Sequence, residues 1–235
     1  MTNHVQTVFI SGANRGIGYE LALQLSQQSY TVIAGYRDES RSRLLFTQAQ
    51  ENSNLLPFRV HVTSERDLQA LGEFITGQFG RLDVLINNAA ANLNRSLPLN
   101  DLTWSDMTHH LDVNVGGAFL TTQHLYPLLK AGQGKKIVNI SSRLGSIATN
   151  SGGSIPYSLS KAALNMLTKQ QANAYRTDGI AVISLSPGWV QTDMGGASAP
   201  LTVQESVRQI GQRIAEMSLA RSGEFVNYDG EQIPY

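Results

Sequence analysis

The tightest constraint on this chain is an alternation that runs from end to end. Seven short runs rich in β-branched residues, at 7–10, 31–34, 57–60, 84–86, 136–140, 180–185 and 225–226, read as strands. Between them, apolar residues recur every three or four positions, as in Ile17, Leu21 and Leu25 or Leu68, Leu71 and Ile75, which is helical periodicity. Successive parallel strands need a crossover helix, so this pattern predicts an α/β fold: a doubly wound, seven-stranded parallel sheet with helices on both faces. Helix starts are signalled at Thr103, with Asp106 three residues on, and at Thr63, with Arg66 and Asp67 behind it. With 235 residues, 41% of them hydrophobic, the chain can bury one full core, and residues 1–235 are expected to form a single domain. The Gly/Ser/Asn-rich stretch at 149–154 reads as a mobile loop.

Composition narrows the function classes. Eighteen basic and eighteen acidic residues cancel, and neither kind is clustered, so no nucleic-acid footprint is present and a small-molecule substrate is expected. There is no cysteine, which excludes disulfides and thiolate-bound metal, and the histidines show no H-E-x-x-H spacing, so no metal is expected. Residues 1–6 are polar, unlike a signal peptide, and no apolar run reaches membrane-spanning length; a cytoplasmic protein away from membranes is expected.

Directly after the first strand stands Ser11-Gly12-Ala13-Asn14-Arg15-Gly16-Ile17-Gly18, opening a helix. Glycines there permit positive φ and close backbone approach to a pyrophosphate, whose charge suits a helix N-terminus. Glycine spacing alone fits a purely structural turn as well. This G-x-x-x-G-x-G form resembles that of the short-chain dehydrogenase/reductase family, whose fold is Rossmann-type. In that family the residue selecting NAD is an acid at the position of Tyr36, which cannot accept as a carboxylate does. Arg37 follows it and Arg15 lies between the glycines, so two guanidinium groups are expected to converge on the 2′-phosphate of NADP(H). Asp38 stands two residues on as a possible NAD-type acid.

Tyr157 and Lys161 lie four residues apart, hence on one helix face. A phenol next to an ammonium is expected to have its pKa lowered toward a useful value. Tyr126 and Lys130 share the spacing, so context must separate the two pairs. Tyr157 lies downstream of the fifth strand, whose end carries Ser142 at the carboxyl edge where such sheets bind ligands. Tyr126 precedes that strand, is followed by Pro127, and sits among Leu125, Leu128 and Leu129, which reads as packing.

The resemblance implies roles. Ser142 polarises the substrate carbonyl, Tyr157 is the acid/base, Lys161 tunes it and holds the nicotinamide ribose, and Asn114 anchors the proton relay through a helix distortion. It also implies a cofactor site built from Gly12, Asn14, Arg15, Gly16, Ile17 and Gly18 on the first turn, Arg37 after the second strand and Val62 after the third. Asn88, Ala89 and Ala90 after the fourth strand, Tyr157 and Lys161 on the helix, and Pro187, Gly188, Val190, Thr192 and Met194 after the sixth complete it. The resemblance covers almost the whole chain and is nearest to compact NADP-dependent carbonyl-reductase and C-factor-like members, with a closing Tyr228-Asp229-Gly230 turn. The expected activity is NADP(H)-dependent interconversion of a carbonyl and an alcohol.

Three features depart from the family pattern. His61 stands where an Asp usually meets the adenine, Ala90 replaces a Gly, and the stretch from Ser142 to Tyr157 is slightly long. Substrate loops are expected at 91–100, 143–156 and 193–202, with Arg95 and Arg143 at the mouth suggesting an anionic substrate. The family's habit implies a homodimer or homotetramer through the two long helices, one ending near Lys130 and one beginning at Tyr157. Alternatives are an NADP-binding redox sensor without turnover, an NAD-dependent alcohol dehydrogenase, and an extended-branch epimerase, which would need more than the roughly 40 residues after Met194.

Overall fold

The computed structural model describes residues 5–28 and 30–235; the polar N-terminal reading falls mainly on residues 1–4, outside the described residues. The strands are β1 (Thr7–Ile10), β2 (Thr31–Tyr36), β3 (Leu55–Arg59), β4 (Val84–Asn87), β5 (Lys136–Ile140), β6 (Ala181–Ser186) and β7 (Phe225–Asn227). They form one sheet in the order β3-β2-β1-β4-β5-β6-β7, and every pairing is parallel. Among the described residues seven α-helices join them: α1 (Gly16–Gln27), α2 (Arg43–Glu51), α3 (Glu65–Phe79), α4 (Trp104–Leu111), α5 (Gly117–Ala131), α6 (Ile155–Ala174) and α7 (Val203–Glu216).

Alternation along each strand divides the core into two layers. Val8, Ile10, Val138 and Ile183 pack against Leu21 and Leu25 of α1 and Ile210 of α7. Phe9, Leu85, Ile137 and Val182 point the other way, onto Leu68, Leu71 and Ile75 of α3 and Leu125 and Leu129 of α5. The doubly wound sheet is therefore as the alternation predicts. The chain moves outward from β1 to β3 and returns to β4 on the other side of β1, which opens a crevice at the carboxyl edge between them.

Element ends differ from the sequence reading where pairing decides them. β2 runs on to Tyr36 because Gly35 and Tyr36 pair with Phe58 and Arg59. β3 starts at Leu55 rather than Pro57, and β6 is shifted by one residue. Thr103 caps α4 with a reciprocal capping box, its side chain and that of Asp106 each bonding the other's backbone N–H. Thr63 does not cap α3. Ser64 does, accepting from Asp67 N at 3.3 Å, while the Asp67 carboxylate accepts from His61 N at 2.9 Å.

Between α4 and α5 the helix winds as a π-turn over Asp112–Gly116, so Asn114 lies at a distortion in an otherwise continuous helix. The 149–154 stretch is tied rather than loose at its start. Asn150 Nδ2 donates to Leu144 O at 2.5 Å, and Asn150 Oδ1 accepts from Gly152 N at 2.6 Å.

Candidate active site

A cleft of about 1320 Å³ runs along the carboxyl edge of the sheet, from the glycine turn past Arg37 and Val62 to Ser142, Tyr157 and Lys161. Every residue that the sequence assigns to the cofactor lines it, from Gly12 through Ala89 to Met194. Asn114 alone among the assigned residues is not on its wall.

At the glycine turn, Gly12 and Gly16 have φ of 66° and 55°, the region where side chains strain the backbone. A Cβ on Gly12 would sit 2.9 Å from Ala89 Cα, and one on Gly18 2.4 Å from both Gly12 O and Asn88 Nδ2. The turn is held from β4. Ser11 Oγ accepts from Asn88 N and Ala89 N at 3.0 Å each, and Asn88 Nδ2 donates to the Ser11 and Gly12 carbonyls at 2.9 and 3.0 Å. The α1 N-terminus has no side-chain cap and no acid in its first turn, so its N–H groups face the cleft available to an anion. This lining, where a side chain on Gly12 or Gly18 would clash and one on Gly16 would strain the backbone, fits a dinucleotide pyrophosphate.

The two expected phosphate-binding arginines both line the cleft, one of them already paired within the chain. Arg15 is ion-paired with Asp193, 178 residues further along the chain. Arg37 is exposed beside the cleft, and the guanidinium that accompanies it is Arg41, which the sequence reading missed. The signal was there in retrospect, a second arginine four residues after the first. Asp38 is engaged elsewhere: its Oδ1 accepts from Ser40 N and Ser40 Oγ at 3.0 and 2.7 Å, and those bonds hold its carboxyl below its ordinary pKa. His61 shares a hydrogen between Nδ1 and Thr63 Oγ1 at 2.8 Å and lines the cleft beside Val60 and Val62.

Ser142, two residues past the end of β5, caps a short 3₁₀ turn, Arg143–Gly145, its Oγ accepting from Leu144 N at 3.2 Å. The Tyr157 phenol, 8% exposed, lies beside Ser142, whose hydroxyl lowers its pKa. Lys161 is 1% exposed, donates from Nζ to Ile140 O at 2.7 Å, and lies 5.5 Å from the Tyr157 ring centroid. The expected lowering of the tyrosine does not hold. Burial pushes the Tyr157 phenol up to about 12, opposed only by the Ser142 hydroxyl, and burial pulls Lys161 down to about 7. Desolvation disfavours both charged forms here, and the ammonium partner, itself driven toward neutrality, does not offset it. A phenol that stays protonated at neutral pH is a proton donor.

Asn114, 1% exposed, accepts from Ala91 N at 2.7 Å and donates to Ala91 O at 3.0 Å and Ser160 Oγ at 2.8 Å. Its amide thus ties the chain after β4 to α6, the helix of Tyr157 and Lys161. The next loop is held by His110, also missed: its Nε2 accepts from Leu93 N at 3.0 Å, leaving Nδ1 to donate to Asp106 O at 2.6 Å. Arg143 pairs with Glu231 at 2.5 Å, and Arg95 donates to Met194 O at 2.5 Å, so both expected anion-binding arginines have partners within the chain. Tyr126 lies off the cleft, bonded to Asp178 and stacked on Tyr175 at 4.8 Å, with Lys130 on the same Asp178 at 2.7 Å. That pair is packing and salt bridge, as its context suggests.

Comparison with known proteins agrees with this geometry. Residues 6–200 match the family described as short chain dehydrogenase. The C-signal of Myxococcus xanthus is 38% identical over 157 residues, covering 66% of this chain and 94% of that protein. Among solved structures, the carbonyl reductase Sniffer of D. melanogaster superposes with a TM-score of 0.93 at 32% identity, covering 99% of this chain and 100% of the other. The NADPH-bound carbonyl reductase from chicken fatty liver gives 0.92 at 33% identity, with the same coverage. A family match over most of the length, on a chain whose glycine turn and Tyr-Lys helix meet in one cleft, establishes that this protein belongs to the short-chain dehydrogenase family.

Proposed function

We propose that the chain is an NADP(H)-dependent oxidoreductase that interconverts a carbonyl and an alcohol. The observation that carries this reading is the Tyr157 phenol placed beside Ser142, with Lys161 one helical turn away, in the cleft that begins at the glycine turn. Arg37 and Arg41 at the cleft edge, with Asp38 engaged by Ser40, favour a 2′-phosphate over free ribose hydroxyls. The similar chicken carbonyl reductase is NADPH-bound, which supports the same choice.

When bound, NADP(H) supplies or accepts the hydride. The Ser142 hydroxyl donates to the substrate oxygen and strengthens that bond as negative charge builds there. Tyr157, protonated at neutral pH because burial disfavours its anion, delivers its proton to that oxygen during reduction and takes one back during oxidation. Lys161, pulled down to about 7 by burial, gives up a proton readily and restores the phenol after each reduction. The relay beyond Lys161 passes the distortion at Asn114; both amide hydrogens of Asn114 are taken, so its backbone rather than its side chain serves that path.

The chain acts in this reading as one dinucleotide-binding domain, with substrate selected by the loops at 91–100, 143–156 and 193–202. Its partners are a small carbonyl or alcohol and a second copy of itself, in the cytoplasm, with no nucleic acid, as its balanced charge suggests.

NADPH oxidation across a panel of ketones, aldehydes and quinones tests the activity. Tyr157→Phe is expected to lower kcat by about 10²- to 10⁴-fold while NADPH affinity, followed by its fluorescence, stays within a few fold. Tight NADPH binding with no turnover of any carbonyl would replace this reading with that of a redox sensor.

A further inference from the structure

The residue four positions beyond Lys161 continues the stripe of Tyr157 and Lys161 along α6. It is Asn165, 2% exposed, and its two amide atoms are both used. Oδ1 accepts from Ser141 Oγ at 2.6 Å, and Nδ2 donates to Gly145 O at 3.0 Å. Ser141 and Gly145 bracket Ser142, one on its strand side and the other at the end of the 3₁₀ turn that Ser142 caps. One buried amide therefore grips the Ser142 segment on both sides from the helix that carries Tyr157.

The grip acts with two other contacts between the same elements. Lys161 Nζ holds Ile140 O, the last residue of β5. The turn also lies against the helix backbone at Lys161, where a Cβ on Gly145 would come within 2.7 Å of Lys161 C. The close approach brings the turn to the helix, and among the described residues only Asn165 joins it to α6 by a hydrogen bond downstream of Ser142, while Asn150 and Glu231 hold its other side through Leu144 O and Arg143. Losing that amide leaves the buried Ser141 hydroxyl with only the Lys161 carbonyl at 3.5 Å, and strands the Gly145 carbonyl. Buried polar groups without partners rearrange to find them, and here the movable element is the turn that carries Ser142.

We infer that Asn165 is a positioning residue for the reaction, setting the Ser142 hydroxyl against the Tyr157 phenol by clamping Ser141 and Gly145 to α6. It touches no reacting atom. The inference rests on the carbonyl-reductase reading for its kinetic consequence, but its geometric claim stands apart from turnover.

The kinetic test is a cycle of Asn165→Leu, Ser142→Ala and the double variant, with the best carbonyl of the panel. Asn165→Leu is expected to lower kcat about 10- to 100-fold, the scale of a misplacement near 1 Å, with NADPH affinity unchanged within about twofold. Because Asn165 acts through Ser142, the double variant should be no slower than Ser142→Ala alone. Ser141→Ala, which cuts one arm and adds no bulk, should show a smaller loss of the same kind, and it keeps the question open to measurement if Asn165→Leu fails to fold. Losses that add in the double variant, or a kcat within about twofold of the parent in Asn165→Leu, overturn the inference. Crystal structures of the parent and of whichever variant folds give a readout that needs no substrate. The Ser142–Tyr157 separation should be wider in the variant than in the parent, and an unmoved pair overturns the inference. Absence of any carbonyl turnover by the parent would count against the proposed activity alone, with the structural comparison still deciding the role of Asn165.

Discussion

At the scale of single residues, burial sets the charge of the two titratable groups in the site, and the consequence can be measured. Lys161 titrates near 10.5 in an unfolded chain and at about 7 when buried in the native one. Between those values the unfolded state holds a proton that the native state has released, so native stability rises with pH across the window. Below about 7 both states are protonated and the full cost of burying the ammonium is felt. Tyr157 has the opposite sign but acts higher, from its ordinary 10.0 to about 12, where stability falls as pH rises. Comparing urea unfolding of the parent with that of Lys161→Met between pH 7 and 10 isolates the lysine. The parent should gain on the variant by on the order of 1 kcal/mol per pH unit. A gap that does not change with pH would mean that the lysine keeps its charge in the fold.

At the scale of elements, the turn leaving β2 shows both how far the sequence could be read and where it stopped. Arg37 was legible because it follows the strand end directly, whereas Arg41 reaches the cleft edge only because Asp38 starts a 3₁₀ turn, Glu39–Arg41, by accepting from Ser40. What the sequence displayed well was local: the capping box at Thr103 and Asp106, the Tyr157–Lys161 spacing, the glycine turn after β1. Helical and strand periods fix such relations within a few residues. What it hid was long-range. Arg15 is claimed by Asp193, Arg143 by Glu231 and Arg95 by the Met194 carbonyl, partners 178, 88 and 99 residues away that no spacing rule connects. The direction of the Tyr157 shift was hidden for the same reason, since burial depends on everything packed around the helix. For the β2 turn, the prediction is that Arg37→Asp and Arg41→Asp each lower the ratio of kcat/KM for NADPH over NADH by about tenfold or more, the worth of one charge-assisted hydrogen bond. An unchanged ratio in both variants would leave the 2′-phosphate to some other group.

At the scale of the whole molecule, the same helix that turns Tyr157, Lys161 and Asn165 inward presents apolar residues outward. Leu159 and Met166, seven residues apart and so on one face of α6, are 49% and 60% exposed. α4 packs against α6 and exposes Trp104 at 75%, and Phe119, just past the π-turn, is 46% exposed. Apolar side chains of this size exposed on α6, on α4 packed against it and on α5 are surface that gains by leaving water, at roughly 25 cal/mol for each Å² covered. A two-fold axis through this face would let each copy cover the other with the same residues, as an isologous dimer requires. Sedimentation should therefore give a multiple of the 25.6 kDa chain mass for the parent and the single-chain mass for Met166→Glu, whose carboxylate would be buried without a partner. Because α6 also carries Tyr157 and Lys161, the pair proposed to be catalytic, the variant should lose thermal stability and kcat together. A parent that sediments as one chain at micromolar concentration would remove the dimer, and would leave Leu159 and Met166 as solvent-facing residues with no assigned role.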